Sequence, residues 1–368
     1  MLSDSLHRIV SPSNDASGSP VTFLVYMIPG NPGLIEYYRE FRDYLATNLA
    51  TDSNKVQYVL GGRSLGGFEL SAPTSRPNDA TSSTSPFNLQ EQVSFVETQI
   101  KAEAKRLRDE HGHPCASTNP LRIILIGHSI GAYILLEIIA RRQAQPNLDH
   151  GGNPTDATFD IAGGICLFPT IVDIAKSPSG RKVSLLANLP GVPSVVHTIA
   201  KMLCFLLPSS TLQSFVQSVT GMPSHGASVT TAFLQSRNGV RQALYLGKHE
   251  LNEVTQDKWV EEHLWNISPS SSPISSQSSQ CRPPKLYFFW GDNDHWVDNS
   301  TRDAVIAARA RQADAGKEEG GRPWMEVDVT GLPHGFCLRH NEAVARKVAG
   351  YIEEIAGLSS DKRDRRNK

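Results

Sequence analysis

The sequence predicts an α/β architecture: a mostly parallel central sheet with helices on both faces and a helical insertion between two of its strands. Two observations carry this. Short apolar, β-rich runs alternate with amphipathic helical stretches along most of the chain. In addition, Ile126-Gly127-His128-Ser129-Ile130-Gly131 joins the apolar run Leu121–Ile126 to the helix-forming stretch Ala132–Ile139. A strand that turns sharply into a helix through Gly-x-Ser-x-Gly is the context of a nucleophile elbow.

Taken in order, residues 1–20 are polar and rich in turn formers and read as a flexible arm. Val21–Ile28 is a buried strand, broken hard by Pro29-Gly30-Asn31-Pro32-Gly33. Glu36–Leu49 reads as a helix, with Phe41, Leu45 and Leu49 at period-four spacing, and Gln57–Leu60 as a short strand. The glycines of Gly61–Gly67 form neither a P-loop nor a dinucleotide fingerprint, so a plain turn is expected there. Residues 71–86 are a Ser/Thr/Pro/Asn-rich insert of disordered composition. Gln90–Arg108 is an amphipathic helix that leads, through a loop, to the elbow strand.

Asp160–Phe168 is the next buried strand, which closes a first core segment at 21–170. Residues 171–265 lean helical with an apolar middle and occupy the position of a lid. A serine-rich low-complexity loop follows at 266–283. The second core segment, 284–357, carries strand Lys285–Trp290, helix Asp303–Ala313, strand Met325–Val329 and helix Asn341–Ile355. A basic tail, 358–368, ends the chain. With the elbow, this pattern predicts an α/β-hydrolase fold with a helical lid insertion.

Bulk properties exclude several classes of function. The chain has 368 residues, 39% hydrophobic and 20% charged, enough to fill a full core. A formal net charge of −1 gives no electrostatic argument for a nucleic-acid partner. Five cysteines at 115, 166, 204, 281 and 337 are scattered and unpaired in spacing, which argues against a disulfide framework and a structural zinc site. No basic-then-apolar leader opens the chain, so a reducing, cytosolic-side location is expected. No segment reaches the ~18 apolar residues of a transmembrane span. The nearest, Val192–Leu207, contains His197 and Lys201 and stops at Pro208.

A serine hydroxyl is a poor nucleophile at neutral pH and needs a base, which in turn needs an orienting carboxylate. In this fold they follow in the order Ser, acid, His, each on a loop at the C-terminal edge of the sheet. Ser129 is the nucleophile. After strand Lys285–Trp290, Gly291-Asp292-Asn293-Asp294 selects Asp294 as acid, with Asp292 as competitor and Asp173 as an alternative on the preceding loop. Of twelve histidines, His334 alone sits in a Gly/Pro turn between the last strand and the last helix, which makes it the base. His340 reads as a helix-start residue, His295 as a pocket-lining candidate, and His128 as a packing residue turned away from the reacting side. The oxyanion hole is assigned to the N–H groups of Ile130 and Asn31. This chemistry needs no metal or organic cofactor.

These residues together resemble the lipid droplet-associated hydrolase family. The likeness rests on Ile28-Pro29-Gly30-Asn31-Pro32-Gly33 followed by Tyr37-Tyr38, and on Gly127-His128-Ser129-Ile130-Gly131-Ala132-Tyr133. Leu167-Phe168-Pro169-Thr170-Ile171, Ser177-Pro178-Ser179-Gly180 and Gly291-x-x-Asp294-x-Trp296 add to it, over about residues 21–355. His295 stands where relatives are expected to carry proline. The resemblance implies a serine esterase of neutral lipids (sterol esters or acylglycerols) with Ser129, Asp294 and His334 as its triad. It also implies a place on lipid droplets and the endoplasmic reticulum. The alternative is a weakly active or non-catalytic droplet-surface protein that uses the fold for attachment. Within 192–207, Val192, Val196, Ile199, Leu203 and Leu206 share one broad face suited to a lipid interface or to capping the pocket.

Overall fold

The computed structural model describes residues 2–11, 20–50, 56–70, 85–110, 121–144, 159–187, 206–259, 264–265, 284–310 and 322–358, with Val195, Thr198, Ile199, Lys201, Met202 and Cys204 between. The inserts expected at 71–86 and 266–283, and the basic tail expected at 358–368, lie wholly or almost wholly outside the described residues.

Seven strands form one sheet: β1 (Ser5–Val10), β2 (Val21–Ile28), β3 (Val56–Arg63), β4 (Leu121–His128), β5 (Phe159–Leu167), β6 (Lys285–Gly291) and β7 (Trp324–Asp328). Their order is β1-β3-β2-β4-β5-β6-β7, and every pair is parallel except the antiparallel β1–β3. The interior strands are apolar throughout because helices cover both faces. On one face, α1 (Arg39–Leu49) packs against α9 (Asn341–Ala356) through Phe41, Leu45, Val344, Val348 and Ile352. On the other lie α2 (Leu89–Glu110) and α3 (Ile130–Ala144), which bury Val93, Val96, Ile100, Ile134, Leu135 and Ile138. The predicted mostly parallel sheet with helices on both faces is therefore present.

Two local expectations are corrected. The first residues are not wholly a flexible arm. Ser5–Val10 pairs with β3 and buries Leu6 and Val10, which lie four apart on one strand face, while its other residues stay exposed. So sparse an apolar signal is the mark of an edge strand. Gly61 and Gly62 are likewise not a turn but the last part of β3. A Cβ on Gly62 would stand 2.8 Å from both the Met27 carbonyl and the Ile35 side chain, so close packing, not bending, demands the glycine.

Between β5 and β6 comes a helical block: α4 (Pro178–Ala187), α5 (Ser209–Thr220), α6 (Ser224–Gln235) and α7 (Gly239–Glu253). It sits on the loops that leave β2. Tyr37 Oη meets Thr230 Oγ1 at 2.7 Å, and His225 Nε2 donates to the Glu36 carbonyl at 2.9 Å. After β6 comes α8 (Asn299–Arg309), capped by the Asp298 carboxylate.

The chain builds outward from β2 to β3, then returns beside β2 as β4 and proceeds the other way. The carboxyl ends of β2 and β4 therefore flank the topological switch point, where open α/β sheets leave a crevice.

Candidate active site

The elbow forms at that switch point. Ser129 has φ +55°, a left-handed conformation that is strained for a residue with a Cβ. The two flanking glycines permit the approach. A Cβ on Gly127 would run into the Gly131 carbonyl, and one on Gly131 into the Ile28 carbonyl of the neighbouring strand. Among the described residues, the other non-glycine residues with positive φ are Phe168, Asp173 and Asn293, all just beyond the carboxyl ends of β5 and β6. Strain is thus concentrated on the loops around the serine.

The three side chains selected from the sequence meet. His334 Nε2 lies 2.9 Å from Ser129 Oγ, and His334 Nδ1 lies 2.6 Å from Asp294 Oδ2. Asp294 is buried, and its other oxygen accepts the Trp296 N–H at 2.9 Å. Burial alone would raise this carboxyl. The bonds from His334 and Trp296 outweigh it and hold Asp294 below the usual carboxylate range. Nδ1–H therefore donates to a carboxylate, which leaves Nε2 as the acceptor facing the serine hydroxyl.

The competing residues stand elsewhere. Asp292 points to Asn293 and to Arg302, 3.6 Å away. Asp173 takes Lys176 at 2.6 Å. His340 sits exposed at the start of α9. His295 is largely exposed beside Asp294 and His334, its ring centroid 5.9 Å from that of His334, and burial and the His334 charge lower its pKa.

His128 is packed among Tyr38, Phe168 and Phe336, as expected of a packing residue, and it also makes directed hydrogen bonds. Its ring is buried and both nitrogens are engaged: Nδ1 with Tyr38 Oη at 2.7 Å and Nε2 with the His334 carbonyl at 2.9 Å. Burial, then the neighbouring His334 charge, push its pKa down to about 3, so the ring is neutral.

On the loop after β2, a Cβ on Gly30 would stand 3.0 Å from that of Ser129, so this loop passes directly over Ser129. The Gly30 N–H is committed to Tyr38 Oη at 3.0 Å, and Asn31 carries the next N–H. The Asn31 side chain turns toward α7, where Nδ2 donates to the Ala243 carbonyl and to Glu250 Oε1, both at 3.0 Å. Ile130, the other oxyanion candidate, is buried as the first residue of α3.

Two further neighbours of the site have no role assigned from the sequence: Thr170, which enters only as part of a motif, and Glu250. Thr170, buried beyond β5, places Oγ1 3.5 Å from Ser129 Oγ. Burial raises the Glu250 carboxyl to about 7, against the opposing bond from Asn31. Among the described residues no cluster of His, Cys, Asp and Glu is suited to a metal ion.

Of the five residues proposed for the lid surface, Ile199 and Leu206 are helical and more than half exposed. Val195 and Met202 beside them are exposed as well. Val192, Val196 and Leu203 lie outside the described residues. No described helix is long and apolar enough to cross a membrane.

Comparison with known proteins finds relatives over most of the chain. A family model described as lipid-droplet associated hydrolase matches residues 21–337. The lipid droplet-associated hydrolase of Gallus gallus is 25% identical over 347 residues, covering 93% of this chain and 88% of that protein. The Homo sapiens protein of the same name is 22% identical over 343 residues, with the same coverage of each. Among solved structures, the peroxisomal alpha-beta-hydrolase Lpx1 of Saccharomyces cerevisiae superposes with a TM-score of 0.53 at 13% identity. That likeness, over 97% of this chain and 86% of the other, shows the shared α/β-hydrolase fold.

Proposed function

The chain belongs to the lipid-droplet associated hydrolase family, and from that premise we propose that it is a serine hydrolase of lipid carboxylic esters, sterol esters or acylglycerols, acting at lipid-droplet surfaces. The observation that carries this is the continuous line from Ser129 Oγ through both nitrogens of His334 to Asp294.

In the reaction, Ser129 Oγ attacks the ester carbonyl carbon while His334 Nε2 takes its proton. Asp294 holds the ring orientation and stabilises the imidazolium. The N–H groups of Ile130 and Asn31 receive the oxyanion, each worth on the order of 3 kcal/mol of barrier. The tetrahedral intermediate expels the alcohol, which leaves with the proton from His334. Water, activated by the same imidazole, then attacks the acyl-enzyme. The fatty acid departs and Ser129 regains its hydrogen.

Attachment is assigned to the apolar helical surface of the 192–207 region. Exposed Val195, Ile199, Met202 and Leu206 there support it, and Val192, Val196 and Leu203 extend the same face in sequence. Four large apolar side chains in water make sense when a lipid phase covers them. That phase is the droplet surface, or the cytosolic leaflet of the endoplasmic reticulum from which droplets grow.

A fluorophosphonate probe should label the wild type and not Ser129→Ala. A panel of sterol esters, acylglycerols and short esters should show turnover that Ser129→Ala lacks. Absence of labelling in a folded wild type would overturn the enzyme in favour of a non-catalytic surface protein.

A further inference from the structure

His128 is the last residue of β4 and immediately precedes the nucleophile. The geometry of its two ring nitrogens fixes a single direction of hydrogen bonding. A carbonyl can only accept, so Nε2 carries the hydrogen and donates to the His334 carbonyl. Nδ1 is then an acceptor, and Tyr38 O–H donates to it. The Tyr38 oxygen in turn accepts the Gly30 N–H. The resulting path runs Gly30 N–H, Tyr38 O–H, His128 N–H, His334 C=O, with every donor and acceptor used once. It ties the loop over the nucleophile to the loop that carries the base.

We propose that His128, through Tyr38, is a positioning residue for catalysis, setting the backbone of His334 and the oxyanion loop in one register around Ser129. The inference rests on the serine-hydrolase reading above. The structure gives it two supports besides the bonds themselves. The ring is walled in by Tyr38, Phe168 and Phe336, with centroids 5.7, 6.2 and 5.1 Å away, so it has no room to turn to other partners. And burial holds it neutral, which keeps Nδ1 an acceptor throughout the working pH range. The need for such a device follows from the loop. His334 lies in an irregular turn between β7 and α9, and no ladder of a helix or strand fixes its backbone. A displacement of about 1 Å in a base can cost on the order of a hundredfold in rate.

The test compares His128→Gln, whose amide N–H can reach the same carbonyl, with His128→Leu, which fills space without a donor. A packing role predicts equal behaviour of the two. The positioning role predicts that His128→Leu lowers kcat about 30- to 100-fold with KM within about twofold, and that His128→Gln stays within about fivefold of wild type. Tyr38→Phe, which deletes one oxygen, should lower kcat about five- to tenfold. Equal kcat in the Leu and Gln variants, or wild-type kcat in His128→Leu, overturns the inference. Should His128→Leu not fold, Tyr38→Phe decides: wild-type kcat there overturns it. A wild type that no fluorophosphonate labels overturns the serine-hydrolase reading itself, and this inference with it. A labelled wild type alongside an unimpaired His128→Leu overturns this inference alone.

Discussion

His334 Nε2 stands 2.9 Å from Ser129 Oγ although 205 positions of chain separate them. The contact exists because β4 and β7 lie in one parallel sheet, with only β5 and β6 between them. Each strand delivers its loop to the same edge, so residues remote in sequence converge.

The triad is tested most directly by removing its members singly. His334→Ala should lower turnover by roughly 10⁴-fold or more, and Asp294→Asn by about 10⁴-fold because the imidazole tautomer is lost. Asp292→Asn should stay within about twofold, since Asp292 faces Arg302. Steady-state kinetics with melting curves separate loss of chemistry from loss of fold. Wild-type turnover by His334→Ala would remove it from the mechanism.

Glu250 makes stability depend on pH. Its carboxyl titrates near 7 in the folded chain, from an ordinary value of 4.5. Between those values the folded state holds a proton that the unfolded state has released, so stability falls as pH rises through the interval. Allowing for partial exposure, the effect is about 1–2 kcal/mol. Glu250→Gln keeps an acceptor for Asn31 and removes the titration. Its melting temperature should therefore gain on wild type by a few degrees between pH 5 and pH 8. A gap that does not widen with pH would refute this.

His128 acts in the opposite direction. Its pKa falls from an ordinary 6.5 to about 3 in the folded state. Below pH 6.5 the unfolded chain takes up a proton that the folded chain refuses, so the folded state loses stability as pH falls toward 3. Equilibrium unfolding of wild type and His128→Gln between pH 7 and pH 4 should show a steeper acid loss for the wild type. Parallel curves would contradict the buried neutral ring.

The apolar helical surface predicts a separation of attachment from chemistry. Ile199→Ser combined with Leu206→Ser should reduce flotation with phospholipid-coated triacylglycerol droplets by about tenfold or more, since each buried apolar side chain contributes about 1.5–3 kcal/mol. Turnover of a water-soluble short ester should stay within about twofold. Unchanged flotation would move the attachment surface elsewhere.

Much of this was legible in the chain because the strongest signals are local. Val21–Ile28 and Leu121–Ile126 are unbroken apolar runs, and the elbow glycines announce their own turn. His334 could be picked from twelve histidines by its place between the last strand and the last helix. What escaped depends on contacts without a local pattern. β1 shows two buried residues in six, too few to read as a strand. The bonds of His128 reach a carbonyl 206 positions away, and Asn31 meets Glu250 across 219, so no spacing rule encodes either. Gly62 reads as a turn because sequence shows the missing side chain but not the Met27 and Ile35 atoms that exclude one.

The edge strand β1 has a further bearing on how the protein can be handled. It covers the flank of β3, and beside it the Ser3 N–H reaches the buried Glu36 carboxylate while the Ser64 N–H reaches the Asp4 carbonyl. Chains trimmed to begin at residue 11 would leave the flank of β3 bare, a row of open backbone donors and acceptors ready to recruit another molecule. β1 thus shields the backbone of β3, and a version lacking it should be watched for aggregation before any change in its chemistry is read.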